Sequence, residues 1–210
     1  MDNCISFQSK IKFIDSGEFK TLISHRPKEA KNIDFNSAFF RFSPAFSTEA
    51  IRTCTGGGMI KKNKGACGFH IYHSEHFNNC IDSIFESAMR NFRPDSALIV
   101  GGKKVKGFKF SMPNFNKIKK IITERVQRVS TFEEHQYNLS ETSFMYILSE
   151  DTWYMTSQST RKGEHFDVKT LTDLRNMYKK IQIASGDRLF IGEKEILPKD
   201  CPEIFQDLKQ

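Results

Sequence analysis

The stretch that decides the fold covers residues 68–102 and reads GFHIYHSEHFNNCIDSIFESAMRNFRPDSALIVGG. Residues 68–72 are apolar and aromatic and predict a strand. Apolar side chains then recur at helical spacing over residues 81–92, and Pro94 ends that helix. The uninterrupted apolar run at residues 97–100 predicts a strand that is buried on both faces. This alternation of strand, amphipathic helix and buried strand indicates a layered α+β or α/β fold.

Patterns on either side of this stretch predict more strands and two more helices. Residues 10–46 are predicted to form a run of short strands, among them residues 10–15 and 39–46, and further strands are predicted at residues 144–148, 153–156, 188–191 and 195–197. Helices are predicted at residues 115–129 and 168–181, the second with a capping box of Thr170 and Asp173. The glycines at residues 56–58 are interpreted as a break between strands. No repeat, linker or low-complexity segment is present, so residues 1–210 are predicted to form a single domain.

Composition indicates a globular protein of a reducing compartment. The chain is 38% hydrophobic and 27% charged, which is typical of folded domains. Its five cysteines follow no disulfide framework, and the first residues lack an apolar targeting segment, so we expect a cytoplasmic protein with free thiols. The apolar runs are too short to span a membrane, and no membrane partner is expected.

The net charge of +7 indicates acidic partners. Lysines gather in three clusters: Lys61, Lys62 and Lys64; Lys103, Lys104, Lys106 and Lys109; Lys117, Lys119 and Lys120. Since no recognised nucleic-acid-binding motif accompanies them, nucleic acid is not favoured as a partner. An acidic protein surface and a simply solvated basic face both remain open.

Three residues carry the candidate chemistry. Cys54 stands before three glycines, and His70 follows in a predicted strand. A thiolate is the nucleophilic form of cysteine, and a neighbouring imidazolium would favour it and later protonate a leaving amine. Thr48 is a candidate for orienting the imidazole. The backbone N–H groups of Thr55 and Gly56 are candidate donors to an oxyanion.

This spacing is similar to that of the cysteine-dependent protein glutamine deamidases. Thr48 precedes Cys54 by six residues and His70 follows it by sixteen. The group includes the bacterial chemoreceptor glutamine deamidase, the cytotoxic necrotising factors and Burkholderia lethal factor. The resemblance covers residues 45–103 and extends to a helix followed by a strand that ends in Gly-Gly. The sequence departs from the pattern at residues 52–53, where these families have small residues before the cysteine. It also departs at His73 and Glu75, where the chemoreceptor enzyme is apolar, so either His70 or His73 could be the base.

The resemblance implies a fold and an activity. The fold would be a β-sandwich core flanked by helices in an α/β/β layering, as in the deamidase toxins. The reaction would convert a glutamine side chain of a folded target protein to glutamate, with Cys54, His70 and Thr48 as catalytic residues and no cofactor. Several members are toxins or effectors, so a virulence role in the host cytosol is an expectation as well. Transfer to an amine instead of water, which is transglutamination, stays open.

Other interpretations of the same residues remain. Cys67-x-x-His70 suggests structural zinc, but alternation along a strand would place these side chains on opposite faces, so no metal is expected. Cys54 is alternatively a buried small apolar residue in a non-catalytic interaction domain with a basic docking surface. A papain-like arrangement with His135 or His165 as the base is a further alternative within the thiol hydrolases.

Overall fold

The computed structural model describes residues 8–34, 37–134, 140–161 and 164–205. In these residues the chain forms four α-helices and fourteen strands, which confirms the α+β class. The helices are α1 (Ser16–Ser24), α2 (Glu75–Phe92), α3 (Ser111–Thr123) and α4 (Leu171–Met177). The strands are β1 (Lys10–Phe13), β2 (Lys31–Asn32), β3 (Ser37–Ser43), β4 (Ala45–Ile51), β5 (Thr55–Lys61), β6 (Gly65–Ile71), β7 (Ser96–Gly101), β8 (Arg128–Glu134), β9 (Ser140–Ile147), β10 (Thr152–Arg161), β11 (Glu164–Asp167), β12 (Tyr178–Gln182), β13 (Arg188–Ile191) and β14 (Lys194–Ile196). No helix in these ranges is long and apolar enough to cross a membrane.

The strands form two sheets. Sheet A has the order β14-β13-β1-β10-β9-β4-β2, and β11 pairs with β10. Sheet B has the order β12-β8-β7-β5-β6-β3. Strand β1 lies between β10 and β13 and is parallel to both, so Lys10 pairs with Thr152 on one side and with Arg188 on the other. Distant parts of the chain therefore meet in sheet A.

The main apolar core lies between the two sheets. Phe46 of sheet A contacts Phe144 and Trp153 edge-on, and Leu98 and Val100 of sheet B belong to the same buried cluster. A second cluster packs α2 and α3 against the other face of sheet B. A smaller one joins α1 to sheet A. The order of layers is thus α2 and α3, sheet B, sheet A, and α1.

Helix α2 and strand β7 confirm the predictions from the deciding stretch. Ser74 caps α2 by accepting from Phe77 N–H, and Arg93 ends it in the left-handed conformation directly before Pro94. All six residues of β7 are buried, because sheet A covers one face and the helices cover the other. The amphipathic period and the apolar run were sufficient signals here.

Three predicted elements were wrong in type or length. Residues 16–24 form helix α1, capped by Asp15, where only strands were predicted. Helix α3 ends at Thr123, and Val129 lies in β8 instead. Helix α4 has the predicted capping box but ends at Met177, because the following residues pair with β8 as strand β12.

The three glycines do not break a strand, because they lie inside β5. A Cβ on Gly56 would come within 2.1 Å of Ile51 Cδ1, and one on Gly58 within 2.2 Å of Phe46 Cζ. A Cβ on Gly57 would lie 2.4 Å from the Leu98 carbonyl oxygen. These glycines therefore allow large side chains and a neighbouring strand to pack directly onto the backbone of β5.

Candidate active site

Thr48 and His70 meet across the interface between the two sheets. Thr48 lies on β4 of sheet A and His70 on β6 of sheet B. Thr48 Oγ1 lies 2.8 Å from His70 Nδ1 and donates its proton to the Ile33 carbonyl at 2.7 Å. Because a hydroxyl has one proton, Oγ1 must accept from the imidazole, and we assign the proton to Nδ1. The lone pair of the neutral ring is then on Nε2.

The His70 ring is held neutral by its surroundings. The side chain is 2% exposed, and burial lowers its pKa to about 4, with a small opposing effect from the charge of Asp34. Nε2 is buried and has no hydrogen-bond partner among the described residues. An unpaired buried polar atom costs about 1–3 kcal/mol, and the lone pair of Nε2 is available to accept a hydrogen bond.

Cys54 lies on the same sheet face as His70. Gly56 pairs directly with His70, and Cys54 precedes Gly56 by two residues. Since alternate residues share a face, Cys54 and His70 are diagonal neighbours facing sheet A. Cys54 belongs to the apolar cluster between the sheets and is 8% exposed.

Cys54 is a neutral thiol in this structure. Burial raises its pKa to about 12, the charge of Glu134 raises it further, and a hydrogen bond from the His73 backbone N–H opposes both. His70 Nε2 does not hydrogen-bond to the sulfur. Because burial raises the pKa of Cys54 and lowers that of His70, the thiolate–imidazolium pair is disfavoured relative to the neutral pair. The expected imidazolium is therefore not the form present here, because desolvation disfavours both charges.

The predicted oxyanion donors lie inside the sheet. Thr55 is the first residue of β5 and pairs with Ile71. Gly56 is in register with His70 on one side and with Val100 on the other. Backbone groups of an interior strand are directed at its neighbours, so Gly56 is not part of a flexible loop of donors.

Sequence analysis did not identify the groups around His73. The His73 Nδ1 lies 2.8 Å from Thr53 Oγ1, and its ring contacts Phe108 edge-on at 4.6 Å. Phe108 belongs to the loop of residues 102–110, which also carries three exposed lysines: Lys104, Lys106 and Lys109. The signal in the sequence was a phenylalanine, Phe108, among three lysines. Only the fold brings this loop into contact with His73.

Sequence analysis also did not identify a buried ion pair near Cys54. Lys103 Nζ lies 3.8 Å from Glu134 Oε2, and both side chains are almost fully buried. Burial lowers the pKa of Lys103 and raises that of Glu134, while their mutual attraction opposes both shifts. Thr142 donates to Glu134 Oε1 at 3.3 Å from sheet A.

The alternative sites receive no support from the described residues. Cys67 packs against the helices, whereas His70 faces sheet A, so the two point to opposite faces. No group of three or more His, Cys, Asp or Glu side chains able to hold a metal is found in the described part of the chain. His135 and the side chain of His165 lie outside the described residues.

Comparison with models of known protein families and with curated protein sequences finds no match to this chain.

Proposed function

We propose that the chain is a cysteine-dependent amidohydrolase that deamidates a glutamine side chain of a target protein to glutamate. Cys54 is the nucleophile, His70 the general base and acid, and Thr48 the orienting residue. The observation that supports this most is the hydrogen bond of 2.8 Å between Thr48 Oγ1 and His70 Nδ1. It leaves the Nε2 lone pair free on the sheet face that carries Cys54.

The layering is also in keeping with the proposal. Two sheets packed face to face, with α2 and α3 on the outer face of sheet B, resemble the layering expected for a deamidase toxin. We extend the resemblance to a toxin or effector that acts in the host cytosol, with cytoplasmic action as the simpler alternative.

The proposed reaction needs no cofactor. The Cys54 sulfur attacks the carboxamide carbon while Nε2 takes the thiol proton. Nε2 then passes this proton to the departing nitrogen, so ammonia leaves and a thioester remains. Water next attacks the thioester with Nε2 as base, and glutamate and the thiol are released. An amine in place of water would give transglutamination.

The neutral resting pair sets a condition on this mechanism. Cys54 Sγ must move within hydrogen-bonding distance of His70 Nε2, and the proton must leave the sulfur as the carbonyl is attacked, because a separate thiolate is costly. The developing oxyanion is proposed to lie at the start of β5, beside Thr55, the residue that follows Cys54.

The substrate is proposed to be a folded protein with an acidic surface. Lys104, Lys106 and Lys109 are exposed on a loop whose Phe108 contacts His73, the residue that donates to the Cys54 sulfur. Cationic side chains grouped beside a reactive centre raise the encounter rate with anionic partners.

The first test is the pH dependence of Cys54 alkylation by iodoacetamide, read by peptide mass spectrometry. Cys67 is an internal control: it lies on the same sheet, is fully buried, and burial raises its pKa to about 12 as well, but it faces the helices. The proposal predicts that Cys54 reacts faster than Cys67 and that His70→Ala removes the difference. Equal rates, or a Cys54 rate that His70→Ala leaves unchanged, would contradict it.

The second test is turnover. Ammonia release from glutamine-containing acidic peptides is expected for the wild type and is expected to be lost in Cys54→Ser and His70→Ala, with circular dichroism unchanged. Adding a primary amine distinguishes deamidation from transglutamination by the mass of the product. Activity retained in either variant contradicts the assignment.

A second candidate function is a non-catalytic binding domain. The burial of Cys54, at 8% exposed, and its raised pKa are what a structural cysteine would show. This function predicts that Cys54 and Cys67 are alkylated equally slowly, and that Cys54→Ser leaves binding of acidic partners unchanged.

A further inference from the structure

The ends of three neighbouring strands of sheet B, β5, β7 and β8, bring charged groups and the thiol together. Cys54 directly precedes β5, and β7 beside it ends at Gly101. A Cβ on Gly101 would lie 2.7 Å from the Cys54 carbonyl oxygen, so the two backbones are in direct contact. Glu133 pairs with Gly101, which places the next residue, Glu134, at the same edge.

Glu134 also faces the same way as Cys54. Phe132, two residues before Glu134, belongs to the core between the sheets. Glu134 continues that face and meets Thr142 of sheet A. Its side chain is fully buried, and Lys103 is the cation beside it. A buried carboxyl on the inner face near the nucleophile has no role in the proposed reaction as written.

Each element packed against Glu134 contributes a group that faces it. The loop after β7 gives Lys103, and β9 gives Thr142. The hydroxyl of Tyr178 on β12 lies 2.8 Å from Thr142 Oγ1, and burial, followed by the charge of Glu134, raises its pKa. The segment before β5 gives Cys54 itself. Beyond these, the charge of Arg52 acts on Lys103.

We propose that Glu134 is a positioning residue that tunes the reactivity of Cys54: its carboxylate, whose ionisation Lys103 favours, opposes formation of the Cys54 thiolate, and protonation of Glu134 removes that opposition. This inference rests on the proposed function, since it concerns regulation of the same site. A negative charge disfavours a second one nearby, and the effect is large where water is excluded. Ionised Glu134 thereby lowers the reactivity of Cys54, and protonation of Glu134 restores it.

The proposal predicts a specific shape for the alkylation profile, which is the rate of Cys54 alkylation as a function of pH. Burial raises the pKa of Glu134 to about 8, well below that of Cys54. Below about pH 8 the alkylation rate of Cys54 should rise tenfold per pH unit. Near pH 8 Glu134 ionises and opposes the thiolate, so the rate should flatten before it rises again. Access to the buried thiol scales the rate at every pH equally and leaves this shape unchanged.

The decisive experiment records this profile for wild type, Glu134→Gln and Lys103→Met. Glu134→Gln should lose the flattened region, matching wild type below pH 8 and reacting about threefold to thirtyfold faster above it. Lys103→Met should move the flattened region to higher pH, because Glu134 loses its counter-charge. Should Glu134→Gln fail to fold, the wild-type profile and Lys103→Met still decide.

The matched control is the other buried ion pair of strand β8. Arg128 pairs with Asp187 at the opposite end of that strand. Asp187→Asn also removes a buried, paired carboxylate and should destabilise the fold, but its Cys54 profile should remain that of wild type. A wild-type profile without a flattened region, or one that persists in Glu134→Gln, overturns the proposal. Failure of the proposed function shows elsewhere, as absent ammonia release or an alkylation rate independent of His70.

Discussion

At the scale of single residues, burial determines the charge states of His70 and Cys54. His70 has a fixed tautomer through Thr48, yet its ring is neutral and the thiol is protonated. In the proposed mechanism the proton therefore leaves the sulfur during the attack, and no thiolate is stored beforehand. Sequence spacing indicates which residues meet, but the charge they carry depends on water exclusion by the surrounding sheets.

A stability measurement tests the neutral His70. The unfolded chain binds a proton at its ordinary pKa of about 6.5, whereas the folded chain does so only at about 4. Between these values the unfolded state gains protons that the folded state cannot, so the free energy of unfolding falls as pH is lowered. We expect wild type to lose about 3 kcal/mol more than His70→Gln between pH 6.5 and 4.

Urea unfolding at a series of pH values measures this difference. His25→Gln is the control, because it removes a histidine whose side chain is exposed in the folded chain. Parallel curves for wild type and His70→Gln would show that His70 becomes charged without hindrance in the folded protein.

At the scale of elements, the three glycines of β5 show how tightly the layers are packed. Gly58→Ala places a Cβ 2.2 Å from Phe46 Cζ and 2.7 Å from the Cys67 carbonyl oxygen. We expect the free energy of unfolding to fall by about 3 kcal/mol, since neither a packed ring nor a strand backbone can move freely. Urea denaturation measures it.

Gly192→Ala is the comparison for that substitution. Gly192 has a φ of +57° and no atom within 4 Å of its Cβ position. It should cost only about 1 kcal/mol, from the left-handed backbone alone. Equal losses in the two variants would mean that crowding at Gly58 is relieved by small shifts.

Helices and strands were predicted correctly where one sequence pattern was strong, and they were missed where strand pairing determined the structure. Helix α2 has a continuous apolar face, and β7 is apolar throughout. Helix α1 buries only Phe19, so its pattern is weak, and the cap from Asp15 was the one clear sign. Residues 178–182 continue the helical spacing of α4, but pairing with β8 makes them a strand.

The candidate site was predictable in the same uneven way. The Thr48, Cys54 and His70 spacing lies within one segment of the chain, so sequence can express it. Lys103 and Glu134 meet only because β7 and β8 are parallel neighbours that end at one edge. Sequence alone does not specify that adjacency.

At the scale of the whole molecule, three exposed lysines lie on the loop that borders the candidate site. Lys104, Lys106 and Lys109 should attract acidic substrates, so changing all three to glutamate should lower ammonia release from an acidic glutamine peptide by about tenfold or more at low salt. High salt should reduce the wild-type rate toward that of the variant. Iodoacetamide is neutral, so alkylation of Cys54 should be unchanged. A salt-independent wild-type rate would assign these lysines to solvation alone.

The position of β1 in the middle of sheet A has a consequence for how the protein is made. Lys10 leaves the ribosome long before its partners Thr152 and Arg188, which lie far downstream in the sequence. Closing such long loops is entropically costly and slow. The first strand must therefore wait with both edges unpaired, and nascent chains should depend on chaperones until β13 emerges.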